Sequence, residues 1–102
     1  MKRRNVPLIE MVNLGSKTGV TELIRLEVDI DEEDALGDTA VLAAARRNDF
    51  PILETLVKAG ASLNVEDALG FSPLSWAQKN QNTEMEEFIA QNLQRRSDFS
   101  KL

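Results

Sequence analysis

The chain has 102 residues, 42% of them apolar, with a formal net charge of −5 and neither cysteine nor histidine. One small domain fits that length, disulfides and thiolate chemistry are excluded, and the acidic balance argues against a nucleic-acid binder, which needs a basic surface to release counterions. No segment reaches membrane-spanning length, and the basic start Met1-Lys2-Arg3-Arg4 is not followed by the continuous apolar stretch of a signal peptide, so cytoplasmic residence is the expectation.

The first helical pattern opens near Pro7. Val6 cannot cap it, so Asn5 is expected to take over and shift the start by one. After a second short pattern comes the run Glu27, Asp29, Asp31, Glu32, Glu33, Asp34, and then Thr39, a capping residue for a helix over about residues 40 to 47. Asp49 before Phe50 and Pro51 suits the next helix start, and Gly60 its end. Ser72 followed by Pro73 opens another helix. Asn82 or Thr83 opens the last one, with Glu86 placed to complete a capping box if Thr83 is the cap. The polar tail from Gln94 to Leu102, with Phe99 and Leu102 isolated in it, is expected to fray. There are no sustained alternating runs of β-branched residues, so the reading is all-α.

Asp34-Ala35-Leu36-Gly37 returns as Asp67-Ala68-Leu69-Gly70, 33 residues later. Packing positions return at the same offset: Leu8, Val41 and Leu74; Met11, Ala44 and Ala77; Leu23, Leu56 and Ile89; Pro7, Ala40 and Pro73. The chain therefore divides into three units, about 1–33, 34–66 and 67–99, forming a single domain over 1–99 with a tail at 100–102. Each unit holds two helical patterns too short to bury an apolar face except against a neighbour.

The middle unit resembles the ankyrin repeat. Asp34, Gly37, Thr39, Ala44, Ala45, Ile52, Leu56, Val57, Gly60, Ala61 and Asn64 stand where that family has its D-x-x-G-x-T, paired alanines, second-helix apolar positions and closing G-A-x-x-N. The third unit matches through Asp67, Gly70, Ser72, Pro73, Leu74 and Ala77, the first through Pro7, Leu8 and its second-helix pattern. The resemblance implies a solenoid of helix-turn-helix units joined by short β-hairpin-like turns. It also implies a non-catalytic protein-binding role. Two departures stand out: Ile9, Leu42 and Ser75 replace the histidine of T-P-L-H, removing a side-chain hydrogen-bond network, and Glu27 occupies the left-handed stop that Gly60 fills. Glu86, Gln78 and Ala90 replace apolar residues of the earlier units, as a capping repeat requires. This polar outer side and the short N-terminus suggest a complete small protein with first and last units as caps.

Charge is uneven: residues 1–26 carry +3, residues 27–34 carry −6, and the remainder −2. The acidic run is solvated loop charge that could steer a basic partner. Asp29, Asp31 and Glu33 alternate like calcium ligands but lack the glycine and distant glutamate of an EF-hand, so no metal is assigned. With no histidine, cysteine or tyrosine, and no glycine-rich phosphate loop, no catalytic residue and no cofactor is assigned either.

In the ankyrin family, partners meet the hairpin tips and the exposed face of each first helix. Carried onto this chain, the tips are Ala35, Leu36 and Asp38, then Ala68, Leu69 and Phe71. Helical spacing puts Ala43, Arg46 and Arg47 on one face, Trp76, Lys79 and Asn80 on the matching face one unit on, and Glu10, Asn13 and Leu14 before them. The candidate partner-binding residues are Leu36, Asp38, Arg46, Arg47, Leu69, Phe71, Trp76, Lys79 and Asn80. Trp76 is equally a core candidate, the arginines could be solvated charge, and the leucines could stack tip on tip. Met11, Met85 and Phe88 are assigned to the core. The function expected is a monomeric module for another protein, as a small inhibitor or immunity-type protein, with self-association or scaffolding as the alternative.

Overall fold

The computed structural model describes residues 6–100, the side chains as far as Arg95. Among the described residues there are six helices and no strand: α1 Pro7–Asn13, α2 Lys17–Arg25, α3 Ala40–Arg46, α4 Phe50–Lys58, α5 Pro73–Lys79 and α6 Thr83–Ser100. They form three antiparallel pairs. α3 packs between α1 and α5 in one layer, and α2 packs on α4 in the other. The array measures 41 × 28 × 24 Å.

Every start but that of α1 is set by a side chain that satisfies an orphan backbone amide. Thr39 accepts from the Leu42 amide at 3.4 Å, Asp49 from Ile52 at 3.3 Å and Ser72 from Ser75 at 3.1 Å. Ser16 does the same for α2, accepting from Gly19 at 3.0 Å. Asn82, not Thr83, caps α6, taking the Met85 amide at 3.0 Å. Glu86 closes no capping box with Thr83 as its cap; its carboxylate takes a hydrogen bond from Gln78 Nε2 at 3.4 Å.

The first helix corrects one expectation. It opens at Pro7 with Val6 in the cap position and no side-chain cap bond, so the start is not displaced by one residue. Val6 is buried, and the position serves the core instead. The Asn5 expectation lies outside the described residues.

The stops explain a second correction. Gly60 ends α4 with φ of 103°, and Glu27 is held at φ of 60° in the same column, a left-handed backbone that costs an L-residue roughly 1–2 kcal/mol. The third unit has Leu93 there, which packs partly buried against the core. With no left-handed stop, α6 continues to Ser100, so the backbone is helical over most of the segment expected to fray. Phe99 and Leu102 lie outside the described side chains.

The core is made of columns shared between units. Leu8, Val41, Ala44, Ala77, Leu56 and Ile89 are all buried, and Phe50 meets Phe88 edge-on at 5.4 Å to link α4 with α6. One pair of columns shows how the units vary without losing volume. In the two columns concerned, unit two has Ala44 and Ile52 and unit three has Ala77 and Met85, all buried. The first unit reverses the sizes, with Met11 in the alanine column and Gly19 in the other. A Cβ on Gly19 would sit 2.5 Å from Met11 Sδ, so the glycine makes room for the methionine.

The outer side of the third unit is polar. Val12, Ala45, Val20, Leu53 and Val57 are buried, whereas Gln78 and Ala90 in the same columns are exposed and Glu86 is half-buried. Exposing the apolar version of these columns would leave an uncovered patch.

Candidate functional site

Two identical turns build the tips. In the second unit the Asp34 amide donates to Asp38 O, Gly37 N–H to Asp34 O, and Asp34 Oδ1 accepts from the amides of Leu36 and Asp38 at 2.9 and 3.0 Å. In the third unit the Asp67 amide donates to Phe71 O, Gly70 N–H to Asp67 O, and Asp67 Oδ1 accepts from Leu69 and Phe71 at 3.0 and 2.9 Å. The aspartates tie the backbone, and the glycines at φ of 82° and 86° let it turn. No bond in either turn uses the leucine side chain. Leu36 and Leu69 are accordingly 75% and 78% exposed, the two most exposed large apolar residues described.

Between the tips lies a shallow hollow of about 180 Å³ lined by Leu36, Ala68 and Leu69 over Asp38, Arg46 and Asp67. Its floor is a cross-unit network. Arg46 Nη2 donates to both carboxylate oxygens of Asp38 at 2.8 and 2.7 Å, and the same nitrogen stands 3.7 Å from Asp67 Oδ2. Asp67 Oδ2 also accepts from the Trp76 indole N–H at 2.8 Å. One arginine of the second unit thus spans both turns.

Burial of the Asp67 side chain, 5% exposed, pushes its pKa up. The Phe71 amide, the Trp76 indole, the Leu69 amide and the Arg46 charge all favour the anion, and the net result is a pKa below the ordinary carboxylate value. Asp67 is therefore a fixed anion at neutral pH.

The remaining candidates fall around this network. Phe71 and Trp76 rings lie 4.6 Å apart at 32°, Arg46 sits 5.7 Å from the Trp76 ring, and Lys79 caps Phe71 at 5.8 Å. The pair Asp38–Arg46 of the second unit returns at the 33-residue offset as Phe71–Lys79, an ion pair becoming a cation–π pair on the same scaffold. Trp76 bridges both readings made of it, half-buried against the core while its N–H serves the turn. Asp38 differs from the tip residue the sequence suggested: it is buried, with its carboxylate occupied by Arg46. Asn80 directs its amide to Ala45 O at 3.0 Å, joining α5 to α3, and Asn82 joins Asn48 at 2.8 Å. Arg47 does not line the hollow; its guanidinium lies beside Gly15 in the first unit.

Sequence reasoning treated Asp67 only as a turn residue and missed its second oxygen. Its partners Trp76 and Arg46 are nine and 21 residues away, and the only signal was that Asp67 opens the unit that holds the sole tryptophan.

Comparisons with known proteins agree with this architecture. The family described as "Ankyrin repeats (3 copies)" matches residues 8–99. The chain is 43% identical over 49 residues to "Palmitoyltransferase AKR1" of Saccharomyces cerevisiae, covering 48% of this chain and 6% of that protein. The corresponding protein of Lachancea kluyveri is 46% identical over 50 residues, covering 49% of this chain and 7% of its own length. A "Putative ankyrin repeat protein" of Rickettsia bellii is 30% identical over 63 residues, 62% of this chain and 38% of that protein. The chain thus spans well under half the length of these relatives. It belongs to the ankyrin repeat family, whose repeats are general protein–protein interaction modules and typically non-catalytic.

Proposed function

We propose that this chain is a non-catalytic module that captures another protein on the tips of its second and third repeats and the adjoining first-helix face. The observation that carries the reading is the pair of displayed leucines. Leu36 and Leu69 are spent on no turn bond, stand 75% and 78% exposed, and flank a common hollow. Aromatic and arginine residues beside an apolar centre have the composition of an interface core. In this reading Leu36, Leu69, Phe71, Lys79 and the outer face of Trp76 touch the partner. Asp38, Arg46 and Asn80 hold the surface in shape, and Arg47 extends it toward the first repeat. The chain acts as a cytoplasmic monomer, by covering or tethering its partner, one form being a small inhibitor or immunity-type protein that occludes a basic site.

Affinity capture from cell extract, with bound proteins quantified by mass spectrometry, tests this. The parent should retain a set of proteins that Leu36→Ser/Leu69→Ser loses. Equal recovery by both would sink the reading.

A second reading has its own observation. Leu14 and Leu26 of the first repeat are also exposed, at 72% and 65%. Self-association through that repeat would cover them. Light scattering coupled to size-exclusion chromatography separates the two: a concentration-independent monomer contradicts self-association.

A further inference from the structure

We infer that the hollow between the tips receives a single apolar side chain from a partner segment that carries basic residues on both sides of it. The inference deepens the protein-binding reading and rests on it.

Size comes first. At about 180 Å³ the hollow falls below the ~300–1,000 Å³ of sites that enclose drug-sized ligands, which suits one side chain and not a small cofactor. The chemistry of the walls and floor comes next. Leu36, Ala68 and Leu69 present hydrocarbon, and the carboxylates beneath them are already engaged. Asp67 gives Oδ1 to two amides and Oδ2 to the indole, while both oxygens of Asp38 take Arg46. A charged group pushed to the floor would lose its water and displace an existing partner. An apolar group releases water from the leucines and leaves the network intact.

Charge in the segments that carry the tips sets the flanks. Residues 27–38 contain seven acidic side chains and no basic one, and residues 66–71 contain Glu66 and Asp67 and no basic one. More than half of the 17 acidic residues thus lie in the two stretches that lead into and form the tips. Arg46, the one cation lining the hollow among the described residues, is held by Asp38. Lys79 lies outside the lining, over the Phe71 ring. The field around the apolar hollow is therefore negative, attracting Lys- or Arg-bearing segments and repelling acidic ones. Because the Asp34 and Asp67 turns and the Arg46 bridge already fix both leucines, little ordering of the backbone accompanies capture.

A random dodecapeptide library displayed on phage, selected on the full chain and counter-selected on Leu36→Ser/Leu69→Ser, tests the inference. Circular dichroism of that variant confirms that it folds. Selected peptides are then titrated against the parent by the fluorescence of Trp76 at low and high salt. Enriched peptides should be net positive with Leu, Ile, Phe or Met between basic residues. They should lose about tenfold in affinity on the double serine variant, and weaken as salt rises. Leucine-dependent peptides that are neutral or acidic overturn the charge inference while sparing the protein-binding reading. Peptides indifferent to the leucines overturn both. A library that yields no parent-specific peptide overturns the inference.

Discussion

Replacing Met11 by alanine and Gly19 by isoleucine together should disturb the first repeat far less than the separate changes predict. The double variant installs the pair that the second repeat uses, Ala44 with Ile52, at equivalent positions. Alone, Met11→Ala removes a half-buried side chain and is expected to cost about 1.5 kcal/mol, below the 2–5 of fully buried sites. Alone, Gly19→Ile drives its Cβ to 2.5 Å from Met11 Sδ and 2.9 Å from Ser16 Oγ, the cap of α2. That overpacking should cost about 2 kcal/mol, after a gain of roughly 0.5 for removing glycine from a helix. In the double variant the sulfur is gone and the isoleucine fills its space, leaving a loss of about 1.5 kcal/mol and a coupling energy near 2. Urea denaturation of all four proteins, read by circular dichroism, measures it. Additivity within about 0.5 kcal/mol would refute the claim that the two columns exchange volume.

Asp67→Asn should destabilise by about 2 kcal/mol, because one carbonyl cannot accept from two turn amides and the indole as the two carboxylate oxygens do; equilibrium unfolding measures it, with Trp76 emission shifting as the indole loses its partner. The same residue gives a pH dependence. Its folded pKa is lowered, so its contribution is present above the ordinary carboxylate value of 3.8 and is lost as pH falls through the folded value. Between pH 5 and 2.5 the parent should therefore lose more of its urea midpoint than Asp67→Asn. Glu27→Gly should stabilise by roughly 0.5–1 kcal/mol by relieving a φ of 60°, whereas Gly60→Val should destabilise by at least about 2, since φ of 103° resists a β-branched residue although the space beside it is open; thermal melts give both signs. Leu36→Ser/Leu69→Ser should leave the unfolding free energy from urea denaturation within about 0.5 kcal/mol of the parent while abolishing partner capture.

Much of the fold was legible because its determinants are local or periodic. Thr39, Asp49 and Ser72 announce helix starts by chemistry within three residues, and the 33-residue columns announce which faces pack. Even the overrun of α6 could have been read from Leu93 standing in the column of Gly60. Long-range contacts were not readable in this way. Arg46 reads as solvated charge by default, with Asp38 and Asp67 too distant in sequence to suggest otherwise, yet it bridges Asp38 eight residues before it and Asp67 in the next unit. Asp38 reads as a tip residue from its place directly after the turn glycine Gly37. The leucine tips were picked out because the turn has no need of them. Their exposure and shared hollow depend on how far apart two stacked repeats hold their turns, which only geometry supplies.

A photo-crosslinking amino acid placed at Leu69, compared with one at the exposed Gln91 of α6, tests the proposed binding surface most directly. Illumination in cell extract should give a discrete protein adduct from position 69, competed away by excess unmodified parent, and none from position 91. Adducts from position 91 alone, or equal uncompeted labelling from both, would contradict capture through the tips.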